Sequence, residues 1–544
     1  MGDKYVGLFY FLWLGQHGTE GPFDNSRILA AAPEAANDPN HPLWGPQEAY
    51  HFWGEPLYGY YVNDDVWVLR RHVQLLTAAG VDFLVFDATN AFTYKNVYDA
   101  LFAIMDEIRL QGFDVPKIAF YTNSRSGETV ASLYEDLYRP GRYRELWFLW
   151  KGKPLIVGDP DECTDEHRRC FTFRRNQWPF EERKINGFPW IEFCRPQRVY
   201  TNDEGEKEIV SVSVAQHPTL AMSDTPFYNH GVNWGRSYRD GLNVPGAELA
   251  GYNFEDQWTY AISEDPSIIF VTGWNEWIAM RLQGPSERPN LFVDQATLNF
   301  SRDIEPMKGG YGDNYYLQMI DNIRKFKGSP PPPPAAPART IPLRPDFSGW
   351  DAVETTYRDF AGDTTPRSHR GYGDLYYANE TGRNDFVAMK VAHDERYVYF
   401  YARTRDVITP HTDKHWMMLF LRVNDGDGNG CVSGCSCGCG EQGWYGYDFV
   451  VNRTVLNAYT SLLERSDGGW NWVKAADVRY VVAGRELQLA VLRTVLGLDR
   501  PGRPVRFRFK WADHMQNEGD YMDFYQYGDV APEGRLDFEY IGAE

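Results

Sequence analysis

Short apolar runs alternate with amphipathic helical patterns from the N-terminus to about residue 328. Residues 6–12 and 81–86 are two of the runs, and residues 66–79 between them have a helical period. The runs are apolar throughout, which is typical of parallel strands covered by helices. We therefore predict a (β/α)8 TIM barrel for residues 1–328. A doubly wound open sheet is the alternative, disfavoured because no glycine-rich phosphate-binding sequence follows any of the runs.

A proline-rich segment at residues 329–340 ends this pattern. It contains the run S-P-P-P-P-P-A-A-P-A-R, which favours an extended polyproline spacer. Beyond it, short apolar runs such as 397–402 and 505–511 are separated by turns, and helical periodicity is scarce. This second pattern predicts a β-sandwich for residues 341–544.

Composition and charge narrow the class of partner. The formal net charge is −20, which disfavours binding to nucleic acid or to an anionic membrane surface. No apolar run approaches the roughly 20 residues that a membrane span needs. Aromatic residues make up 16% of the chain, more than a core of this size requires, and rings with a polar edge suit sugars. We expect a carbohydrate partner; the sequence does not indicate the oligomeric state.

Two carboxyl groups follow apolar runs of the predicted barrel, where catalytic groups of such barrels lie. Asp87 ends the run 81–86, and Glu276, flanked by two tryptophans, follows the run 268–274. An apolar surround raises the pKa of a carboxyl group, as a proton donor requires, and glycosidic bonds are cleaved between two carboxyl groups. Alternatively, Arg281 or backbone amides hold Glu276, and Asp87 caps the next helix.

Side chains suited to sugars follow the first strand, fill the loop 223–236 and flank Glu276. We predict that this set binds substrate: Trp13, His17, Asp224, Tyr228, Asn233, Trp234, Arg236, Trp274, Asn275 and Trp277. Arg236 and Arg239 have two open roles, contact with an acidic sugar or orientation of Glu276 or Asp224. The histidines lack metal-ligand spacing, so we predict no cofactor or metal for catalysis.

Several features of residues 1–328 occur in a recognisable order. They are the aromatic strand 9–13, Asp65 before a helix carrying His72, the sequence 79–83, the loop 218–239, Asn275-Glu276-Trp277 and Ile304-Glu305-Pro306. In this order they resemble the barrels of glycoside hydrolase families 99 and 71 and the related WbsX-like domains. The resemblance implies a barrel that hydrolyses glycosidic bonds, with Glu276 at a family catalytic position.

The chain departs from family 99 just after this motif. The family has a second glutamate three residues after the first, thought to act as general acid and base, where this chain has Ala279. A partner carboxyl must then come from elsewhere, and we rank Asp87 and Glu305 first. The remaining candidates are Asp303, Glu192 and Asp224. The distance between the two carboxyl groups, which separates inversion from retention, is left open.

The C-terminal region resembles family 9 carbohydrate-binding modules through its strand pattern and the run 444–449. Its tryptophans and tyrosine are equally consistent with a stacking platform for sugar and with core packing; they are Trp444, Tyr445, Trp470 and Trp472.

A glycine-rich stretch follows residue 423. Asp425, Asp427 and Asn429 alternate with other residues as in a calcium loop, but Ser436 stands where an EF-hand has glutamate, so a structural calcium site and a plain turn both remain open. Four cysteines follow: Cys431, Cys435, Cys437 and Cys439. One of their gaps matches the usual zinc-ligand spacing, but the other two are too short for an ordinary zinc site, which favours disulfides over free thiols if the protein is exported.

Three functions compete on these grounds. The first is a glycoside hydrolase that acts on a complex polysaccharide or oligosaccharide, and the second, suggested by Ala279, is a non-catalytic glycan-binding protein derived from such a hydrolase. A domain of polysaccharide assembly associated with glycosyl transfer is disfavoured, because no basic site for a nucleotide diphosphate is visible. We expect an extracytoplasmic location, with an export signal outside these residues.

Overall fold

The computed structural model describes residues 3–219, 221–423, 446–500 and 502–543. By internal packing the chain forms two compact units. The first comprises Met1–Ser329 with His369–Tyr377, and the second Pro330–Ser368 with Ala378–Glu544. The predicted calcium loop and the cysteine cluster after it lie outside the described residues.

Eight parallel strands form the main sheet of the first unit within the described residues. They are β1 (Tyr5–Tyr10), β2 (Phe83–Ala88), β3 (Lys117–Thr122), β4 (Lys153–Val157), β5 (Thr172–Gln177), β6 (Gly187–Pro189), β7 (Lys207–Ser213) and β8 (Ile268–Thr272). The hydrogen-bonded order is β7, β8, β1, β2, β3, β4, β5, β6. Because β8 pairs with β1, the first and last strands are neighbours, as in a barrel.

The gap between β6 and β7 is almost closed. An antiparallel strand, Tyr200–Thr201, pairs with β7, and the backbone N–H of Asn186 donates to the carbonyl of Thr201 at 3.0 Å. The predicted barrel is thus confirmed as a nearly closed one.

The first unit contains eight α-helices within the described residues. In chain order they are α1 (Asn25–Ala31), α2 (Val66–Ala79), α3 (Lys95–Leu110), α4 (Ser126–Leu133), α5 (Asp165–Cys170), α6 (Asp224–Tyr228), α7 (Tyr252–Glu264) and α8 (Asn314–Lys327). The helix predicted over 66–79 is confirmed: Asp65 caps its first turn, and Gly80, at φ 78°, ends it in a left-handed conformation. None of the described helices has the length and apolar character to cross a membrane.

Small sheets in the loops of the first unit organise the chain around the strand ends. A three-stranded one joins Phe23–Asp24, Tyr50–Phe52 and Ile278–Met280, and two hairpins pair Tyr238–Arg239 with Leu242–Asn243 and Leu282–Gln283 with Asn290–Leu291. A two-residue strand, Leu149–Trp150, pairs with β4. The pairing of Ala279 with His51 fixes the course of the chain after β8.

The second unit is built on one antiparallel sheet. Its strands within the described residues are Tyr357–Arg358, Phe386–His393, Tyr397–Thr404, Met418–Arg422, Phe449–Asn457, Thr460–Ser466, Trp472–Ala483, Glu486–Leu492, Val505–Asp513, Asp529–Ala531 and Phe538–Gly542. The ring of Tyr357, at one end of the strand order, lies 5.1 Å from that of Phe538 at the other. The sheet therefore folds over an apolar core, and the predicted β-rich second domain is confirmed.

A short helix and a short pair of strands occur in addition to these strands. A four-residue helix, Arg493–Leu496, follows the strand Glu486–Leu492, and the strand Arg367–Arg370 pairs with Tyr376–Asn379. The predicted aromatic platform is described only in part: Trp470 and Trp472 are partly buried against the cluster around Phe420, and Trp444 and Tyr445 lie outside the described residues.

Candidate active site

A cavity of about 350 Å³ opens at the C-terminal ends of the barrel strands. Asp87 lies near the end of β2, Trp178 follows β5, Trp190 follows β6 and Glu276 follows β8. Its lining consists of Phe9, Trp13, Asp87, Thr89, Trp178, Pro179, Phe180, Trp190, Phe193, His217, Glu276, Val293 and Asp294. Three carboxyl groups, an imidazole and an aromatic wall thus share one site, at the end of the barrel where such sites lie.

The residues on either side of Glu276 anchor it to the barrel. Asn275 is fully buried; its Oδ1 accepts from the backbone N–H of Phe11 at 2.9 Å, and its Nδ2 donates to the carbonyl of Phe11 at 3.1 Å. Trp277 stacks on Trp53, with ring centroids 4.6 Å apart and planes 14° apart. Because both neighbours are held in this way, Glu276 is the residue of the motif that lines the cavity.

The electrostatic surroundings of Glu276 favour its protonated form. Burial raises the pKa of its carboxyl group well above the usual range, and the nearby carboxyl groups of Asp294, Asp303 and Asp87 raise it further. Arg302 opposes these effects, since its Nη2 lies 3.2 Å from a carboxylate oxygen of Glu276. Such a group is able to hold a proton near neutral pH and to deliver it to a leaving group.

Arg302 contacts several of the residues that line the cavity. Its guanidinium group is almost fully buried, 3.2 Å from Asp294 as well as from Glu276, and lies 4.8 Å from the ring centre of Trp190. It also lies 3.0 Å from Nδ1 of His217. Burial, together with this cation, holds the pKa of His217 well below its usual range, so His217 is neutral and Nδ1 accepts the hydrogen bond.

Asp87 is the second buried carboxyl group in the lining. One of its oxygens accepts from Trp13 Nε1 at 2.9 Å; the other accepts from the backbone N–H of Thr89 at 3.0 Å and from its hydroxyl at 2.7 Å. Burial raises the pKa of Asp87 above its ordinary value, and the hydrogen bonds from Trp13 and Thr89 limit that rise. The three donors also fix the orientation of the carboxyl group.

Four aromatic side chains from the loops after β5 and β6 form one wall. Trp178 and Trp190 meet edge to face at 5.2 Å, and Phe180 and Phe193 do so at 5.1 Å. Trp178 also donates from Nε1 to Asn123 at 2.9 Å, which fixes its ring. Aromatic faces beside carboxyl groups suit the C–H faces and the hydroxyl groups of a sugar.

Of the predicted site residues, the structure brings Trp13, Asp87 and Glu276 together at the cavity. Glu305 lies elsewhere. It is fully buried and engaged by Tyr61 at 2.8 Å, Trp277 at 2.6 Å and His72 at 3.0 Å. Its carboxylate therefore braces the interior of the barrel and does not face the cavity.

The other predicted substrate-binding residues hold the loops together and do not line the cavity. Trp274, Asn275 and Trp277 are fully buried. The residues of the loop 223–236 contact other parts of the chain. Asp224 accepts from Arg288 at 2.9 Å, and the guanidinium group of Arg195 lies 5.1 Å from the ring of Trp234. Three others donate to backbone carbonyl groups: Tyr228 to Ala36 at 2.8 Å, Asn233 to Ala221 at 2.7 Å and Arg236 to Leu298 at 2.8 Å. The polar side chains of this loop led to its prediction as a substrate-binding segment, but they make hydrogen bonds within the protein.

His17 occupies the rim of this region. It is exposed, its Nε2 lies 2.7 Å from the hydroxyl of Tyr94, and its ring lies 5.2 Å from that of Trp13. It lies outside the cavity lining, although it packs against a residue that belongs to it.

The remaining carboxyl candidates do not line the cavity either. Glu192 is buried in an ion pair with Arg198 at 2.8 Å. Asp303 accepts from Trp53 Nε1 at 2.7 Å, and burial raises its pKa to about 7. Ala279 packs in an apolar cluster, so the position of the second family carboxylate offers no polar group.

Sequence reasoning missed Asp294, Arg302, His217 and most of the aromatic wall. For Trp190 a signal existed in its position, because β6 ends at Pro189 and Trp190 is the first residue after that strand. Asp294 and Arg302 lie in irregular chain after β8, where no periodicity points to them.

Similarity to known proteins is found among solved structures. No family model matches the chain, and no curated protein matches it. Solved structures similar to it include two of the family 99 endo-α-mannosidase from Bacteroides thetaiotaomicron, at 15% identity and TM-score 0.38 and at 14% identity and TM-score 0.36. Each covers 60% of this chain and 98% of the other. A glycoside hydrolase-like protein matches at 13% identity and TM-score 0.35, over 60% of this chain and 95% of that one.

Proposed function

We propose that this protein is a glycoside hydrolase acting on a complex oligosaccharide or polysaccharide, with Glu276 and Asp87 as its paired carboxyl groups. The observation that carries the proposal is their convergence on one aromatic-lined cavity of about 350 Å³ at the C-terminal end of a barrel. Paired carboxyl groups in such a site are the chemistry of glycosidic bond cleavage. The resemblance of the Asn275-Glu276-Trp277 motif to family 99 supports the same assignment.

The surroundings divide the two roles. Glu276 is the proton donor, because burial and neighbouring carboxyl groups raise its pKa and so keep its proton available to the leaving oxygen. Asp87 is the base or nucleophile, because the three hydrogen bonds from Trp13 and Thr89 stabilise its anion and aim it. Arg302 supports Glu276 as a positioning residue: its buried guanidinium group holds the carboxyl group in place and limits the rise in its pKa.

The test is hydrolysis of a panel of glycans by E276Q and D87N. Each substitution removes one carboxyl group and keeps its shape, so we expect kcat/KM to fall by about 10³-fold and Tm to change little. The control is E128Q, which alters an exposed carboxylate of α4 away from the cavity and leaves turnover unchanged. Near-normal turnover by E276Q would rule out its catalytic role.

A non-catalytic glycan-binding function is the second candidate, and Ala279 favours it, because the family position of the second carboxylate is apolar here. The aromatic wall would then bind a sugar that no residue hydrolyses. Binding of glycans by the unmodified protein, with no reducing end released from any of them, is the outcome that would select this function.

A further inference from the structure

Five buried acidic side chains meet in the second unit, far from the barrel cavity in the sequence. They are Asp359, Asp363, Asp385, Asp529 and Glu533, each at most 5% exposed. Carboxylate oxygens of Asp359, Asp363 and Glu533 lie within 4.8 Å of one another, and so do oxygens of Asp363, Asp385 and Asp529. Asp363 belongs to both groups, so the five form one acidic cluster.

The sheet of this unit brings the cluster together. Asp359 and Asp363 lie in the loop after the strand Tyr357–Arg358, and Asp385 directly precedes the strand Phe386–His393. Asp529 begins the strand Asp529–Ala531, and Glu533 follows it. Three segments separated by many residues in sequence therefore deliver carboxyl groups to one buried point.

Asp359 and Asp385 each present an oxygen to the cluster that has no hydrogen-bond donor among the described residues. These oxygens are Oδ2 of Asp359 and Oδ1 of Asp385, and both are buried. The second oxygen of Asp385 accepts from the backbone N–H of Gly362 at 2.9 Å and from the hydroxyl of Thr364 at 3.1 Å, so its carboxylate is held with Oδ1 left over. Buried carboxylate oxygens without donors are expensive unless a cation takes that place.

Cationic side chains also lie near the cluster. Arg405 lies 3.0 Å from Asp385, and the buried Lys510 interacts with Asp359 and Glu533 while its ammonium group donates to the carbonyl of Pro532. Neither cation donates to Oδ2 of Asp359 or to Oδ1 of Asp385, so both oxygens are left for a bound ion.

The donor set selects the kind of cation. Every side-chain ligand in the cluster offers oxygen, which suits hard ions and disfavours zinc or copper. Calcium takes six to eight oxygens at about 2.3 to 2.6 Å, so ligand oxygens on one ion lie up to about 5 Å apart, whereas magnesium prefers a smaller octahedron with several waters. Separations within 4.8 Å and crowded carboxylates fit calcium better.

We propose that Asp359, Asp363, Asp385, Asp529 and Glu533 bind a structural calcium ion that ties three segments of the second unit together. The ion takes up the oxygens of Asp359 and Asp385 that lack donors. Its five residues are not those of the calcium loop considered at Asp425, Asp427 and Asn429, and the proposal does not depend on the hydrolase function.

Thermal unfolding of the full chain, stripped of metal by a chelator and then given CaCl₂ or MgCl₂ alone, tests the site. Because calcium binds only the folded unit, we expect the unfolding transition of that unit to rise by roughly 5 to 10 °C at calcium about 100-fold above its Kd. Titration calorimetry with CaCl₂ on the stripped protein measures that Kd directly. Magnesium is expected to give a much smaller shift.

Variants locate the ion within the chain. D363N removes the ligand shared by both groups, and D529N removes another. Each substitution replaces a buried carboxylate by a neutral amide, so both variants are expected to fold without metal and to lose the calcium-dependent shift. The matched control is D523N, a buried aspartate of the same unit outside the cluster that accepts from the backbone N–H of Gln516 at 2.8 Å and keeps the shift. An unmodified protein without a calcium shift, or a shift retained in both D363N and D529N, would overturn the proposal.

Discussion

Glu276 and Glu305 are two glutamates in the chain that follows β8, and their surroundings give them opposite roles. Glu276 faces the cavity beside Arg302, whereas Glu305 is enclosed by three donors in the interior of the barrel. Both residues are glutamates, so the contacts and not the residue type distinguish a reactive carboxyl group from a structural one. Two predictions at the residue scale follow from these contacts.

The first concerns Glu305. E305Q replaces a carboxylate that interacts with Tyr61, His72 and Trp277, so we expect the free energy of unfolding to fall by about 1 to 3 kcal/mol. The kcat of the folded protein is expected to stay near that of the unmodified enzyme. Denaturant titration and turnover measured on the same sample separate the two effects. A large loss of kcat at unchanged stability would restore Glu305 as a catalytic candidate.

The second concerns the pH dependence that Asp294 imposes on Glu276. A donor must be protonated, so activity is lost as pH rises through the pKa of Glu276. The negative charge of Asp294 raises that pKa, and Asp294 also shares the guanidinium group of Arg302 with Glu276. D294N removes this charge and leaves Glu276 as the carboxylate that Arg302 stabilises, so both effects lower the pKa of Glu276. The alkaline limb of kcat/KM is expected to move to lower pH. E128Q is the control with an unmoved limb, and a limb displaced upward in D294N contradicts the assignment.

At the scale of elements, the aromatic wall depends on two short segments and not on regular structure. β6 has three residues, and the loops around it carry Phe180 and Trp190 into the lining. Backbone pairing fixes where each loop begins, which aligns the rings along one side of the cavity. The wall is therefore a separable element for binding substrate.

Phe180 tests this element, because it is 71% exposed and still lines the cavity. F180A removes a stacking face without opening a core, so we expect KM for an oligosaccharide to rise roughly 2- to 10-fold with kcat and Tm unchanged. Ile185 is the matched control, since it is 66% exposed in the same loop and lies outside the cavity lining. An equal rise in KM for I185A would point to general loosening of the loop.

At the scale of the whole molecule, the first unit is not a continuous stretch of chain. Residues His369–Tyr377 belong to it, although they follow the proline-rich segment. The hydroxyl of Tyr372 accepts from the backbone N–H of Gly15 at 2.7 Å, and its ring meets that of Phe52 at 4.8 Å. The hydroxyl of Tyr377 likewise accepts from the backbone N–H of Tyr60 at 2.7 Å. The loops after β1 are thus completed by a distant part of the sequence.

Loss of this segment should destabilise the barrel unit. Tyr372 is buried, so Y372A is expected to lower the free energy of unfolding of that unit by about 3 to 5 kcal/mol through the lost burial and the cavity left behind. Calorimetry of the full chain measures the change. Y376A, at a side chain 64% exposed in the same hairpin, is the control with a much smaller effect; equal losses would contradict the packing.

Some of the fold was predictable from local pattern alone. The helix Val66–Ala79 has both its cap, Asp65, and its glycine stop, Gly80, in the sequence, and β1, β2 and β8 are apolar runs. The position of Glu276 and Asp87 in the lining of the cavity was predictable as well, since each residue lies at the end of such a run. Trp190 was harder to identify, because the strand before it, β6, is only three residues long.

By itself the sequence determined a barrel followed by a β-rich unit, and it marked Glu276 and Asp87 as carboxyl groups at strand ends, because hydrophobic period and strand ends are local properties. Only the tertiary structure decided that Asp294 and Arg302 accompany them and that Glu305 does not. It alone also assembled the acidic cluster around Asp363. Burial, hydrogen bonding and the pKa of a carboxyl group depend on residues distant in the chain, and folding determines which of these become neighbours.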